Sequence, residues 1–143
     1  MKSRICLVAL VIIVWFASRI INPAQAEPAT TKDAQIKRGQ YLVERVAMCG
    51  DCHTPHTDTG EYDRTAWLQG DVLDFKPVRP MPFAVFAPQI AGLPTMPTDE
   101  MAIRFFETGT NAVGKTAMPP MPQFRFDQED AIAVVAYLRS LKK

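Results

Sequence analysis

The chain has 143 residues, with 16 Lys and Arg, 15 Asp and Glu and two His, and a formal net charge of +1 at pH 7. This length is suited to one small domain with a single core. Because the sequence contains neither a basic stripe nor an acidic tail, its charge pattern excludes nucleic acid as an expected partner.

The first segment has the features of an export signal. Lys2 and Arg4 precede an apolar run over residues 5–17, and Ala24-Gln25-Ala26 follows as a small-x-small cleavage site. The run is shorter than the roughly 20 residues that span a bilayer. Residues 1–26 are therefore predicted to be a signal peptide, which implies a periplasmic protein. An uncleaved anchor is the alternative, and a membrane contact is expected only in that case.

Removing this segment changes the charge and the cysteine count. The remaining 117 residues carry 13 basic and 15 acidic side chains, and their only cysteines are Cys49 and Cys52. No thiol is left for a disulfide framework. An exported Cys pair of this kind is oxidised, bound to a metal or attached to a cofactor. We expect a flexible leader over residues 27–32 and one domain over residues 33–143.

The domain opens with a predicted helix over residues 33–48. Its apolar stripe contains Ile36, Leu42 and Val46, and it is interrupted by Gly39. Glycine costs about 1 kcal/mol relative to alanine inside a helix. Such a residue is favoured if a second helix passes very close, and a tolerated glycine is the alternative.

Two further helices are predicted towards the C-terminus. One runs from Asp99 to Thr108, where Thr98 caps its start and Gly109 stops it. The other runs from Asp127, as N-cap, to about Leu141. Its buried face is predicted to consist of Ile132, Val135, Leu138 and either Tyr137 or Leu141.

Residues 54–97 contain seven prolines and no convincing strand pattern. An irregular segment of this length is unusual inside a compact domain. A large, flat, apolar cofactor would explain it, because irregular chain can wrap the edges of such a group. The predicted fold class is therefore all-α, with long loops.

The first helix leads into Cys49-Gly50-Asp51-Cys52-His53, and C-x-x-C-H is the attachment motif of a c-type haem. Two thiols at this spacing can each form a thioether with a vinyl group, and His53 then offers an imidazole nitrogen to iron. A thioredoxin-type pair is disfavoured because no βαβ pattern surrounds it. A zinc site that also used His56 would crowd four ligands into eight residues. A structural or chance pair is the remaining alternative.

A second axial ligand is expected to be a methionine. His56 is the only other histidine, and three residues along from His53 it stays on the same side of the ring, which excludes a bis-histidine site within one chain. Methionine sulfur binds ferrous iron and raises the reduction potential. The proline-rich segment 117–122 contains Met118 and Met121 and is stiff enough to aim a sulfur inward. The candidates after the signal segment are Met48, Met81, Met96, Met101, Met118 and Met121.

These features together resemble a class I bacterial c-type cytochrome, and especially the haem domains of periplasmic cytochrome subunits that serve dehydrogenases. The likeness spans residues 33–143. It rests on Gly39-x-Tyr41-Leu42, Cys49 to His53, Pro120-Met121-Pro122 and Glu129-Asp130 followed by Ala136-Tyr137-Leu138.

The resemblance implies a fold with crossed N- and C-terminal helices and a third helix around one haem. It implies one haem c, attached through Cys49 and Cys52 and ligated by His53 and by Met121 rather than Met118. Gly39 would then pack beneath Tyr137. A proline carbonyl in residues 54–97 would orient His53. Trp67, Arg64 and Arg79 are candidates for contacts with the haem propionates, with an ordinary surface or packing role as the stronger alternative for each.

The function expected from this resemblance is electron transfer without enzymatic activity. The chain would pass single electrons between a dehydrogenase-type donor and a respiratory acceptor such as a terminal oxidase. The alternative is a haem enzyme or gas-binding protein with an open distal site, which requires that neither Met118 nor Met121 binds the iron.

Overall fold

The structure is a computed structural model that describes residues 31–141. The predicted signal peptide and most of the predicted leader lie outside the described residues. Within residues 31–141, no helix is both long and apolar enough to cross a bilayer. The elements in chain order are α1 (Lys32–Tyr41), a π-helical turn (Leu42–Val46), α2 (Gly50–His53), a 3₁₀ turn (Arg64–Ala66), β1 (Asp71–Val72), β2 (Phe86–Ala87), α3 (Asp99–Thr108) and α4 (Gln128–Ser140).

The first predicted helix changes from α-helical to π-helical geometry after Tyr41. The α-helix ends at Tyr41, and the next turn is π-helical, with the Ala47 N–H donating to the Leu42 carbonyl at 2.7 Å. The wider turn accommodates one more residue than an α-helical turn does. Leu42 and Val43 enter the core there. The helix predicted over residues 33–48 is thus present over residues 32–46, but its last turn is π-helical and not α-helical.

Helix α3 begins and ends as the sequence predicts. The Thr98 hydroxyl accepts a hydrogen bond from the Met101 N–H at 3.3 Å, and Gly109 terminates the helix with a φ of 67°. A left-handed residue at this position is favourable only for glycine or a few polar residues. Phe105 and Phe106 of this helix are buried.

Helix α4 also has the predicted cap, since the Asp127 carboxylate accepts from the Asp130 N–H at 2.8 Å. Val135, Tyr137 and Leu138 are buried as expected. Ile132 is only half-buried. The buried face is wider than the predicted stripe, because small residues bring the helix close to α1. These small buried residues are Ala131, Ala133 and Val134.

Helices α1 and α4 pack directly on each other at Gly39. A Cβ added at Gly39 would overlap the Ala133 carbonyl and lie 2.8 Å from the Tyr137 Cβ. The prediction that Gly39 packs beneath Tyr137 is confirmed. At the edge of this contact, the Arg38 guanidinium forms two bonds to the Asp130 carboxylate, at 2.8 and 2.9 Å.

The long segment between α2 and α3 is mostly irregular, but it holds one small antiparallel pair. Asp71 pairs with Ala87 and Val72 with Phe86. The prediction that this segment contains no strand was wrong, because two-residue strands are too short to show an alternating pattern. The helical class of the fold is confirmed. The core lies among α1, α3, α4 and the buried Leu68 and Leu93 of the segment.

Candidate functional site

A cavity of about 310 Å³ lies beside the core and is bounded by α2, the strand pair, α3 and the loop before α4. Its walls carry Cys49, Cys52, His53, Met118 and Met121, so the structure brings together all of the residues predicted to hold a cofactor. The rest of the lining is largely apolar and includes Leu73, Phe86, Ile90, Phe105, Phe106 and Phe124.

The two cysteines reach this cavity because of the short helix that follows the first of them. The His53 N–H donates to the Cys49 carbonyl at 3.0 Å, which closes the turn, and residues three apart on a helix share a face. Both thiols are free. Burial raises the pKa of Cys49 to about 12. Burial and the nearby Asp51 carboxylate raise the pKa of Cys52, so both groups are protonated thiols at neutral pH.

His53 is held in one orientation by a backbone carbonyl. The residue is 7% exposed, and its Nδ1 lies 2.7 Å from the carbonyl oxygen of Pro88. A carbonyl can only accept, so Nδ1 carries the proton and Nε2 keeps its lone pair. Burial lowers the pKa of His53, although the bond to Pro88 opposes this, and the neutral imidazole is favoured. Neutral imidazole is the form that binds a metal.

The sequence indicated only that some proline carbonyl would orient this histidine, and the structure identifies it as Pro88. No local pattern distinguishes Pro88 from the other prolines of residues 54–97. The selection depends on β2, which brings residues 86–88 alongside α2.

The three residues considered for propionate contacts do not line the cavity. Trp67 packs on the opposite surface of α2, where a Cβ on Gly50 would lie 2.7 Å from the indole ring. Its Nε1 is 3.3 Å from the Tyr137 hydroxyl, and the Arg64 guanidinium stacks 4.4 Å from the indole centroid. Trp67 therefore supports the outer face of the attachment helix.

Four methionines line the cavity, and they differ in exposure. Met48 and Met118 are 54% and 52% exposed, whereas Met96 and Met121 are partly buried against the core. Sequence reasoning did not single out Met96. The segment 118–121 is a turn in which the Met121 N–H donates to the Met118 carbonyl at 3.2 Å.

The zinc alternative finds no support in this geometry. Across residues 31–141, no three His, Cys, Asp or Glu side chains are grouped to hold a metal ion. His56 instead lies in an exposed loop, with its ring 5.2 Å from that of Tyr62.

The donor set fits a c-type haem. Two thiols, one neutral imidazole and a thioether face one apolar space, and these are the groups that attach and ligate such a cofactor. The cavity volume falls within the range of ligand sites. The chemistry of the lining, with both thiols and the imidazole on one apolar space, marks this cavity as the candidate cofactor site.

Comparison with known proteins agrees with this chemistry. The family model described as cytochrome c oxidase, cbb3-type, subunit III, matches residues 34–138. The fructose dehydrogenase cytochrome subunit of Gluconobacter japonicus is 31% identical over 110 residues, covering 73% of this chain and 21% of the relative. A diheme cytochrome c-type protein of Cereibacter sphaeroides is 50% identical over 34 residues, covering 24% and 12% respectively. The chain thus spans about a fifth or less of the length of these relatives.

Proposed function

Because the chain belongs to the c-type cytochrome family described as cytochrome c oxidase, cbb3-type, subunit III, we propose that it is a periplasmic electron carrier with one covalently bound c-type haem. It is a class I c-type cytochrome that resembles dehydrogenase subunits. The proposed domain is residues 33–143, with the crossed first and last helices of that class. Contact between α1 and α4 at Gly39 supports this arrangement.

The observation that carries the proposal is the shared cavity of Cys49, Cys52 and His53. The sequence motif by itself shows only how the two cysteines and the histidine are spaced along the chain. The structure adds that both thiols and the imidazole face one apolar space, and that His53 donates from Nδ1 to Pro88. Its Nε2 is therefore the atom available to iron, with the ring direction fixed by the protein.

Met121 is the proposed second axial ligand. It packs partly buried against the hydrophobic core, whereas Met118 in the same turn is half exposed. A methionine that ligated the iron would have to reach into the apolar cavity, so the burial of Met121 against the core supports it. Met96 is similarly buried and lines the cavity, and it is the competitor that the structure adds to Met118.

Haem, when bound, supplies one-electron cycling between ferric and ferrous states. The residues of this chain would hold and surround the cofactor. Cys49 and Cys52 would retain the cofactor, His53 and Met121 would ligate its iron, and the apolar lining would limit the access of water to it. With both axial positions filled by protein ligands, outer-sphere electron transfer is favoured over oxygen or peroxide chemistry. We therefore assign no catalytic residue and no enzymatic activity to the chain.

The proposed partners are redox proteins. The name of one relative is that of a cytochrome subunit of fructose dehydrogenase, and the family is named for a subunit of an oxidase. These names support a dehydrogenase as electron donor and a terminal oxidase as acceptor. Export through the predicted signal peptide over residues 1–26 would place the carrier in the periplasm, where such partners meet.

The proposal is tested with the full chain expressed together with a periplasmic haem-maturation system. Denaturing gel electrophoresis with haem staining should give one stained band, and iron analysis should give one iron per chain. N-terminal sequencing should begin at Glu27, and redox titration should show a reversible one-electron couple. An unstained band would contradict the covalent haem. A high-spin spectrum that changes with added carbon monoxide would instead support the open-site alternative.

A further inference from the structure

One short segment, residues 68–71, is hydrogen-bonded both to the helix that carries His53 and to the chain around Pro88, directly after β2. On one side, the Leu68 N–H donates to the buried Thr54 hydroxyl at 3.0 Å and the Gly70 N–H donates to the His53 carbonyl at 2.8 Å. The segment is therefore bonded to His53 itself and to the residue that follows it.

On its other side, the same segment is bonded to the chain around Pro88. The Leu68 carbonyl accepts from the N–H groups of both Ile90 and Ala91, at 3.0 and 3.1 Å. Asp71 pairs with Ala87 in the strand ladder. Residues 68–71 thus hold both ends of the hydrogen bond between the His53 ring and the Pro88 carbonyl.

Gly70 is the point at which the two sides come closest. A Cβ at this position would lie 2.7 Å from the Ala87 carbonyl oxygen, 2.8 Å from the Gln89 nitrogen and 2.9 Å from the Pro88 carbonyl carbon. All three are backbone atoms, which cannot move aside as a flexible side chain can. The φ of Gly70 is +90°, a conformation that other residues rarely adopt. Only glycine lets the Pro88 peptide lie directly against this segment.

We propose that Gly70 is a positioning residue for the axial ligand: it sets the distance between His53 and Pro88 and thereby tunes the reduction potential of the haem. This inference rests on the proposed function, in which His53 binds iron through Nε2. A hydrogen bond from Nδ1 to a carbonyl makes the imidazole a stronger donor, and stronger donation favours the ferric state. Weakening that bond therefore raises the potential.

The test compares Gly70→Ala with Gly60→Ala in the haem-loaded full chain. Gly60 has a similar φ of +81°, but no atom lies within 4 Å of a Cβ placed there. Both variants place a side chain at a similar positive φ, and only Gly70→Ala pushes on the Pro88 peptide. The readouts are the reduction potential from redox titration and the solvent exchange rate of the His53 Nδ1 proton, measured by NMR in the reduced state.

Gly70→Ala should raise the potential and accelerate Nδ1 proton exchange by roughly fivefold or more, as expected for loss of one hydrogen bond. Gly60→Ala should change neither. Equal values for the two variants, in protein whose wild type has a normal low-spin haem, would overturn the positioning role and leave the proposed function intact. A wild type without covalent haem would instead refute the proposed function.

A third variant decides the case in which Gly70→Ala yields no mature protein. Thr54→Val keeps the shape of the buried side chain and removes only the hydroxyl that accepts from Leu68. It should shift the potential and the exchange rate in the same direction as Gly70→Ala, by a smaller amount. If both values equalled those of the wild type, the positioning role of residues 68–71 would be rejected.

Discussion

The two walls of the cavity that hold the candidate axial ligands are built differently. On the histidine wall, the ring of His53 donates directly to Pro88, and the His53 carbonyl accepts from Gly70. On the methionine wall, the bonds belong to the loop backbone, where the Pro119 carbonyl accepts from the Ala84 N–H at 2.7 Å. Met121 itself is placed by packing against the core.

This difference shows which ligand the protein holds in a fixed orientation before the cofactor binds. The direction of the His53 lone pair is fixed by a bond to its own ring, whereas the position of the Met121 sulfur follows from the shape of a loop and its apolar neighbours. Loss of the two cysteines on the histidine wall should prevent attachment of the cofactor, whereas changes to the residues that orient His53 should alter the potential. Changes on the methionine wall should leave attachment intact and alter the spectrum and the potential.

The largest effect is expected from the double variant Cys49→Ser and Cys52→Ser. Without either thiol no thioether can form, so haem staining on a denaturing gel should be lost completely. Cys6→Ser is the matched control, since Cys6 lies in the predicted signal peptide. Staining that survives the double substitution would show that the attachment site lies elsewhere.

The next effect in size is expected from Met121→Ala. Removing the sulfur should give a high-spin or foreign-ligated haem with a lower potential, because methionine ligation raises it. Staining should persist, which is how this wall differs from the cysteine motif. Met118→Ala and Met96→Ala are the controls, measured by optical spectroscopy and redox titration. If either control lost the low-spin spectrum and Met121→Ala kept it, the distal ligand would have to be reassigned.

A smaller effect, on the stability of the fold that supports both walls, is expected from Gly39→Leu. Alanine in place of a helical glycine gains about 1 kcal/mol in propensity, but any side chain here meets the Ala133 carbonyl. Overpacking should lower the free energy of unfolding by roughly 1–3 kcal/mol or more. Denaturant titration measures it, with Lys37→Leu on the exposed face of α1 as control. Equal midpoints for the two variants would mean that α1 and α4 do not pack closely at Gly39.

The smallest effect is expected from Arg38→Met. The Arg38 side chain is 52% exposed, and its ion pair with Asp130 is screened by solvent. Such pairs contribute ~0–1 kcal/mol, and less at high salt. Unfolding measured at low and high salt should show a small loss that shrinks with ionic strength, and the haem potential should stay unchanged. A shift of the potential would show that the edge of the helix contact is coupled to the site.

The features that the sequence predicted correctly are those determined by residues close together in the chain. Helix α3 could be placed from Thr98 and Gly109 because capping depends on neighbours in the chain. The close approach at Gly39 could be predicted because a glycine inside an apolar helix is unfavourable unless another element packs closely against it. The proline-rich segment 117–122 singled out Met118 and Met121 as candidate ligands, and the family resemblance favoured Met121 over Met118.

What the sequence could not predict depends on the path of the chain in three dimensions. Seven prolines in residues 54–97 offer equivalent carbonyls, and the β1–β2 pairing together with the hydrogen bonds of residues 68–71 brings Pro88 to the His53 ring. The role of Gly70 is hidden for the same reason, since its neighbours are distant in sequence. The π-helical turn after Tyr41 has no distinguishing composition.

The most direct test of the ligation is NMR of reduced holoprotein labelled with ¹³C at the methionine methyl groups. A methyl group bound next to the iron lies over the porphyrin face, where the ring current moves its resonance far upfield. One methyl should be shifted in this way, and it should vanish in Met121→Leu while persisting in Met118→Leu and Met96→Leu. Disappearance of the shifted resonance in Met118→Leu or Met96→Leu, or its absence from the wild type, would contradict ligation by Met121.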